Sequence, residues 1–269
     1  MVAEAQFSPE DRTPLWQAIK ALENPRWIVR VANALGMPVE KLLGAMPKKL
    51  SGFVRDATRA ALFKALKVAV YKLNGTGSQN PAGRRYKVSV GVTGAIGGFF
   101  GLSALAVELP ISTTIMLRSI AAIAQAAGED LSSPEARLAC LQVFAFAGST
   151  RKDDSAETAY YAVRAALAKS VAEAVTFIGE RGVAEESAPV LVRLIAQIAA
   201  RFGVVVSEKV AAEALPVVGA AGGASINLLF IDHFQNVAQA HFTIRKLERK
   251  YGQDAVRVEY ERIKRELGL

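Results

Sequence analysis

Two stretches of this chain carry no charge and are built on glycine. Val88 to Val107 runs twenty residues without an ionisable side chain and contains Gly91, Gly94, Gly97, Gly98 and Gly101. Ala214 to Ile231 is uncharged too, with Gly219, Gly222 and Gly223. By length the first stretch qualifies as a transmembrane candidate, and Leu215 to Ile231 nearly does. Composition argues the other way. Gly, Ala, Ser and Thr add little to insertion. Arg118 also stands in the middle of the segment that follows, at a cost of at least about 2.5 kcal/mol in a bilayer. Helices at the centre of a globular bundle fit better, because small residues at the Gly94/Gly98 and Gly97/Gly101 spacing let backbones approach closely. A core that loosens at a membrane surface is a third state open to such a sequence. Gly94-Ala95-Ile96-Gly97-Gly98 and Gly219-Ala220-Ala221-Gly222-Gly223 echo one another, but nothing around them aligns, so no repeat architecture follows.

The rest of the chain reads as helix. Apolar residues make up 51% of 269 residues, and mean hydropathy is +0.22. That excludes a disordered chain and allows a large core without staples. Ser8-Pro9-Glu10-Asp11 starts a helix that ends near Asn24-Pro25. A short helix follows from Pro25 to Gly36, and another lies within Met37 to Met46. Lys48 to Leu73 is a long helix, and Asn74 to Pro81 the clearest loop. Pro110 opens a helix through Ala127, closed by Gly128. Ser133-Pro134-Glu135 opens the next, through Ala147. Asp153-Asp154 opens one ending near Gly179 to Gly182. Two helices are expected at Ser187 to Phe202 and Val204 to Ala214, and two charged ones at Phe234 to Tyr251 and Gln253 to Leu267. The expected fold is all-α, a multi-helix globular bundle with central glycine- and alanine-rich apolar helices. It divides into short N-terminal helices (1–46), a main helical domain (47–251) and a charged C-terminal helix packed on it (252–269).

The net charge of +8 is concentrated. Lys48, Lys49, Arg55, Arg59, Lys64, Lys67, Lys72, Arg84, Arg85 and Lys87 face one acid, Asp56, between Pro47 and Lys87. This segment is +9, so the remainder of the chain is −1. In the first half of the long helix Leu50, Val54, Ala57 and Ala61 share one face, and Lys48, Arg55 and Arg59 the opposite one. Phe53 is expected near the apolar face. A solvated face and an anionic membrane surface, where each cation adds about 1 kcal/mol, both suit this pattern. Nucleic acid suits it less, because stacking aromatics are few and no base-reading motif is present. The uncharged glycine stretch just downstream favours the membrane.

Catalytic motifs are missing. No Walker loop, HExxH or GxSxG occurs. The Gly91 to Gly101 run follows no strand, so it does not read as a dinucleotide site. Cys140 is the single cysteine, so no intramolecular disulfide is possible, as suits a reducing compartment. It reads as a buried inert thiol. His233 and His241 lie two turns apart on one helix, which is not a metal-ligand pattern. No metal and no cofactor is read from the sequence. Arg118, alone among apolar residues, is expected to be buried and paired with an acid from the C-terminal half, Asp232 or Glu213.

Several of these segments together resemble the EcsC protein family. Glu108-Leu109-Pro110, then Thr113 to Ile120 ending Leu117-Arg118-Ser119-Ile120, then Ile123-Ala124 and Gly128, is similar to its first signature. Leu215-Pro216-Val217-Val218-Gly219-Ala220, with Gly222-Gly223 and Asn227, is similar to its second, and Gly94 to Gly101 fits the glycine-rich approach to the first. Gly94, Gly98, Pro110, Arg118, Pro216, Gly219 and Asn227 are the signature positions with structural roles. The resemblance spans roughly Lys48 to Tyr251. It departs at Glu108, where the family more often has Asp. The resemblance implies a bacterial protein, cytoplasmic or peripheral at the inner membrane, of a family named for a member encoded beside an ABC transporter and without an established activity. The expected function is that of a non-enzymatic accessory protein. It would meet an anionic membrane surface or a membrane protein through Lys48, Lys49, Arg55, Arg59, Lys64, Lys67, Arg84, Arg85 and Lys87, with a lipid or apolar ligand as a further partner. The alternative is a hydrolase or lipid-handling enzyme using Glu108, Arg118, Asp232 and His233.

Overall fold

The computed structural model describes residues 7–23, 27–44, 51–73, 105–148, 159–181, 188–213 and 219–269. These form ten helices and, among the described residues, no strand. They are α1 (Pro9–Glu23), α2 (Trp27–Leu35), α3 (Val39–Gly44), α4 (Ser51–Lys72), α5 (Leu105–Ala126), α6 (Pro134–Phe146), α7 (Ala159–Arg181), α8 (Pro189–Glu213), α9 (Gly219–Tyr251) and α10 (Gln253–Glu266). The expected all-α bundle is therefore observed. Residues 88–104 and 214–218, the greater part of one glycine-rich stretch and the start of the other, lie outside the described residues.

Local chemistry sets several helix ends as expected. The Ser8 hydroxyl accepts the Asp11 amide at 3.2 Å, satisfying a first-turn donor of α1. Ser133 caps α6 by accepting from the Ala136 amide at 3.1 Å. Gly36, Gly128 and Gly252 end or separate helices with positive φ, a backbone region that favours glycine.

Three helices are longer than their sequences suggest. Instead of starting at Pro110, α5 starts at Leu105 and carries Pro110 inside it. Buried Leu109 and Glu108 anchor the turn that precedes the proline. A single helix α8 runs through Gly203 where two were expected. A mid-helix glycine costs about 1 kcal/mol, and the burial of Phe202, Val205 and Val206 around it outweighs that. Gly219 to Ile231 is likewise the first third of one 33-residue helix, α9.

The core is aromatic at its centre. Phe144 of α6, Phe202 of α8 and Phe234 of α9 pack with ring centroids 5.0–5.5 Å apart. Phe230 joins Phe234 at 5.0 Å, and Trp27 of α2 meets Phe230 edge-on at 5.6 Å. Such tilted pairs add to the burial of their area. Around this centre α4 lies against α5, α8 and α6, and α9 against α1, α5 and α10. Gly148 is where α6 ends against α8, and a Cβ there would stand 2.3 Å from the Arg201 carbonyl oxygen. Only glycine allows that approach.

Two helices, Ala106–Ala126 and Pro189–Glu213, are long and apolar enough to cross a membrane, and 56% and 44% of their apolar windows are buried inside the bundle. Core helices of a soluble bundle show the same length and composition.

Candidate functional site

The basic helix α4 has a distinct outward face. Val54, Ala57, Thr58, Ala61, Leu62, Ala65, Leu66, Ala69 and Val70 are buried, which gives the helix its inner stripe. Arg55, Arg59, Lys64 and Lys67 are exposed. Lys64 and Lys67 fall at positions where the sequence pattern of the helix's second half is irregular. In the fold they stand outside a continuous buried stripe. Phe53 corrects an expectation, since it is 39% exposed, on the outer face. Tyr71 is 57% exposed. These two aromatics are eighteen residues, or about five helical turns, apart, so they share one face. The exposed Arg55–Asp56 pair, 3.6 Å apart, sets one carboxylate among these cations and lowers the net charge of the helix by one. Buried Arg137 fixes the far end of α4 by donating to the Val70 carbonyl at 2.7 Å. It also donates to the carbonyls of Leu131 and Ser132. Lys48, Lys49, Arg84, Arg85 and Lys87 lie outside the described residues.

A second site was not expected. Lys209 of α8, with only 1% of its side chain exposed, donates to Glu108 Oε1 of α5 at 2.8 Å. It also sits 2.9 Å from Glu213 Oε1, one turn on in its own helix. Asn227 of α9 donates to the same Glu108 oxygen at 3.1 Å. Burial opposes the charge on Lys209, but Glu213 and Glu108 outweigh it and hold the ammonium's pKa above its ordinary value. Burial pushes the Glu213 carboxyl up, and Lys209 offsets part of the rise. Glu108 and Asn227 belong to the two signature-like segments, so a lysine between them ties both to α8. The one sequence signal for this was Lys209/Glu213 at i,i+4.

The members of the candidate catalytic set differ in burial and partners. Glu108 is buried with the partners just given. Arg118 is exposed, and among the described residues no ion pair holds it. The expected buried pair is therefore overturned, because Arg118 lies on the outer stripe of α5. Glu213, one of the acids proposed for it, pairs with Lys209 instead. His233 is buried and donates from Nε2 to the Ala147 carbonyl at 2.9 Å. Burial lowers its pKa to about 4, against a small rise from that hydrogen bond. Asp232, its neighbour, is half-buried. Among the other signature positions, Pro110 lies inside α5 and Gly219 begins α9. Gly94, Gly98 and Pro216 are outside the described residues.

His241 is a hydrogen-bonded core residue. Its Nδ1 lies 2.8 Å from the Tyr160 hydroxyl, and burial carries its pKa well below 6.5. Next to it Arg164 grips Glu248 with two bonds, 2.6 and 3.1 Å, joining α7 to α9. Arg245 and Arg249 similarly hold Glu129, in the turn between α5 and α6, against α9. Cys140 is fully buried, and desolvation pushes its thiol far up. No group of three metal-binding side chains occurs among the described residues.

The family model of the EcsC protein family matches residues 76–247. The match takes in α5 to α8 and most of α9, including Glu108, Lys209, Glu213 and Asn227, and starts after α4 has ended. No curated protein and no solved structure matches the chain.

Proposed function

We propose, from the premise that this chain belongs to the EcsC protein family, that it is a non-enzymatic accessory protein docking peripherally on the cytoplasmic face of a bacterial membrane. The outer face of α4 meets anionic headgroups. The observation that carries this reading is the company the cations keep. Lys64 and Lys67 are exposed on the side of the helix that also presents Phe53 and Tyr71, and Arg55 and Arg59 are exposed on its flank. Two exposed rings in line with cations suit a membrane interface better than bulk water. At a bilayer interface rings settle at headgroup level, and each nearby cation contributes about 1 kcal/mol. The long stems of the lysines and arginines let their charges reach phosphates from the helix surface.

The hydrolase reading lacks comparable support. Its four residues have separate surroundings, with Glu108 and His233 each committed to a buried partner and Arg118 on the surface.

Vesicle flotation tests the proposal. The protein should float with vesicles of phosphatidylglycerol and phosphatidylcholine, stay behind with phosphatidylcholine alone, and lose binding as salt shortens the screening length. The quadruple Arg55→Gln, Arg59→Gln, Lys64→Gln, Lys67→Gln variant should lose it as well. Equal behaviour on charged and neutral vesicles, or no binding to either, would sink the reading. A membrane protein with an acidic face is the other partner these charges fit. Capture only by native membranes, and not by protein-free vesicles, would identify it.

A further inference from the structure

A second outward surface adjoins α4. Along α5 the residues Val107, Ile111, Thr114 and Arg118 follow one another at spacings of four, three and four, so they form a single stripe. Val107 is 66% and Ile111 38% exposed. The Thr114 hydroxyl is spent internally, donating to the Pro110 carbonyl at 2.8 Å. Arg118 is exposed and stands about 16 Å along the axis from Val107. The Glu108–Asn227 hydrogen bond, 3.1 Å, brings α9 beside this end of α5. Leu228, next to Asn227, is 37% exposed. Glu108 is the only acid of α5 and is buried against Lys209. The first third of α9 has no charge before Asp232. The surface is therefore apolar at one end, cationic at Arg118 and free of exposed carboxylate between them.

We infer that this stripe, with Leu228 beside it, is the part of the molecule that enters the acyl-chain boundary of a bilayer, apolar end first, with Arg118 held at the phosphates. The inference rests on the membrane reading and adds the penetrating element to it. Two observations select a lipid bilayer as occupant. The sole exposed charge of α5 is a cation, complementary to anionic headgroups. In addition α5 packs directly against α4, so the stripe and the basic face belong to neighbouring helices. Interfacial helices bury their apolar side about 5–10 Å into the headgroup and acyl boundary. A tilt that lowers Val107, Ile111 and Leu228 to that depth leaves Arg118 about 16 Å up the helix axis, within reach of phosphate oxygens.

Site-specific fluorescence tests this. An environment-sensitive dye is placed on Val107→Cys, Ile111→Cys and Leu228→Cys, with Gln125→Cys and Lys246→Cys as controls. The native thiol of Cys140 is buried and does not compete for label. On vesicles of phosphatidylglycerol and phosphatidylcholine, the dye at 107, 111 and 228 should shift to the blue and be quenched by spin labels on the acyl chains. The dye at 125 and 246 should do neither. The Val107→Asp, Ile111→Asp variant, which exchanges only surface side chains and should keep the wild-type melting temperature, should partition roughly a hundredfold more weakly. If the protein floats with the vesicles and no dye shifts, the inference falls while the basic-face reading stands. If the protein does not float at all, both fall. A blue shift that appears without lipid as protein concentration rises assigns the stripe to a second copy of the chain and overturns the inference. So does a shift seen only with native membranes.

Discussion

Glu108 and Lys209, 101 residues apart in the chain, meet at 2.8 Å in the interior, and Asn227 donates to the same carboxylate oxygen. Removing one partner of such a pair leaves the other charge buried without compensation, at a cost of about 3–5 kcal/mol. The Lys209→Met variant should therefore unfold at a much lower urea concentration than wild type. Adding Glu108→Gln and Glu213→Gln should restore much of the loss, because an uncharged trio of similar shape strands no charge. A single variant as stable as wild type would show that the three groups are hydrated in solution.

Glu208, the neighbour of Lys209, behaves in the opposite sense. It is half-buried, and burial raises its pKa to about 7. A carboxyl whose folded pKa lies above its ordinary 4.5 contributes stability below about pH 4.5 and loses it as pH rises through about 7. Ionising it in the fold costs up to about 3 kcal/mol. Glu208→Gln should raise the melting temperature at pH 8 and leave it nearly unchanged at pH 5. Equal gains at both values would mean that the carboxyl titrates normally.

Acid acts on the histidines. His233 is held neutral, its pKa falling from 6.5 to about 4, so between those values the unfolded chain binds the extra proton. Stability should then fall as pH drops from about 6.5 to about 4, by about 3 kcal/mol from this residue. His241, shifted the same way, adds to the fall. A glutamine at 233 can still donate to the Ala147 carbonyl but does not titrate. Urea titrations of His233→Gln across this range should show a shallower decline than wild type. Parallel curves would rule out His233 as a source of the acid sensitivity.

What the sequence revealed follows from which forces act locally. The Val54, Ala57 and Ala61 stripe was legible because helical periodicity alone sets it. The caps at Ser8 and Ser133 were legible because capping is local chemistry. Arg118 was misjudged because a charge among apolar residues suggests burial unless the helix phase is known. That phase became clear only with the helix starting at Leu105 rather than Pro110. Gly203 was read as a boundary on propensity, which tertiary packing overrode. Lys209 stands four residues before Glu213, a spacing that surface pairs share. Its burial depends on Glu108, which no local pattern connects to it.

The α4 face allows charge and apolar anchoring to be separated. Phe53 and Tyr71 are exposed, so Phe53→Ser with Tyr71→Ser removes two rings from the surface, with the melting temperature of the variant confirming that it is folded. Binding to anionic vesicles should weaken nonetheless, because the rings lose their place at the headgroup level. The salt dependence should keep its slope, since the number of cations facing phosphates is unchanged. Neutralising Arg55, Arg59, Lys64 and Lys67 should do the reverse. It should flatten the salt dependence and cost roughly a thousandfold in affinity at low salt, at about 1 kcal/mol per cation. Titrating vesicles into both variants at several salt concentrations measures slope and affinity together. If the double serine variant binds as wild type does, the rings take no part, and the two exposed aromatics no longer distinguish α4 from an ordinary solvated basic helix.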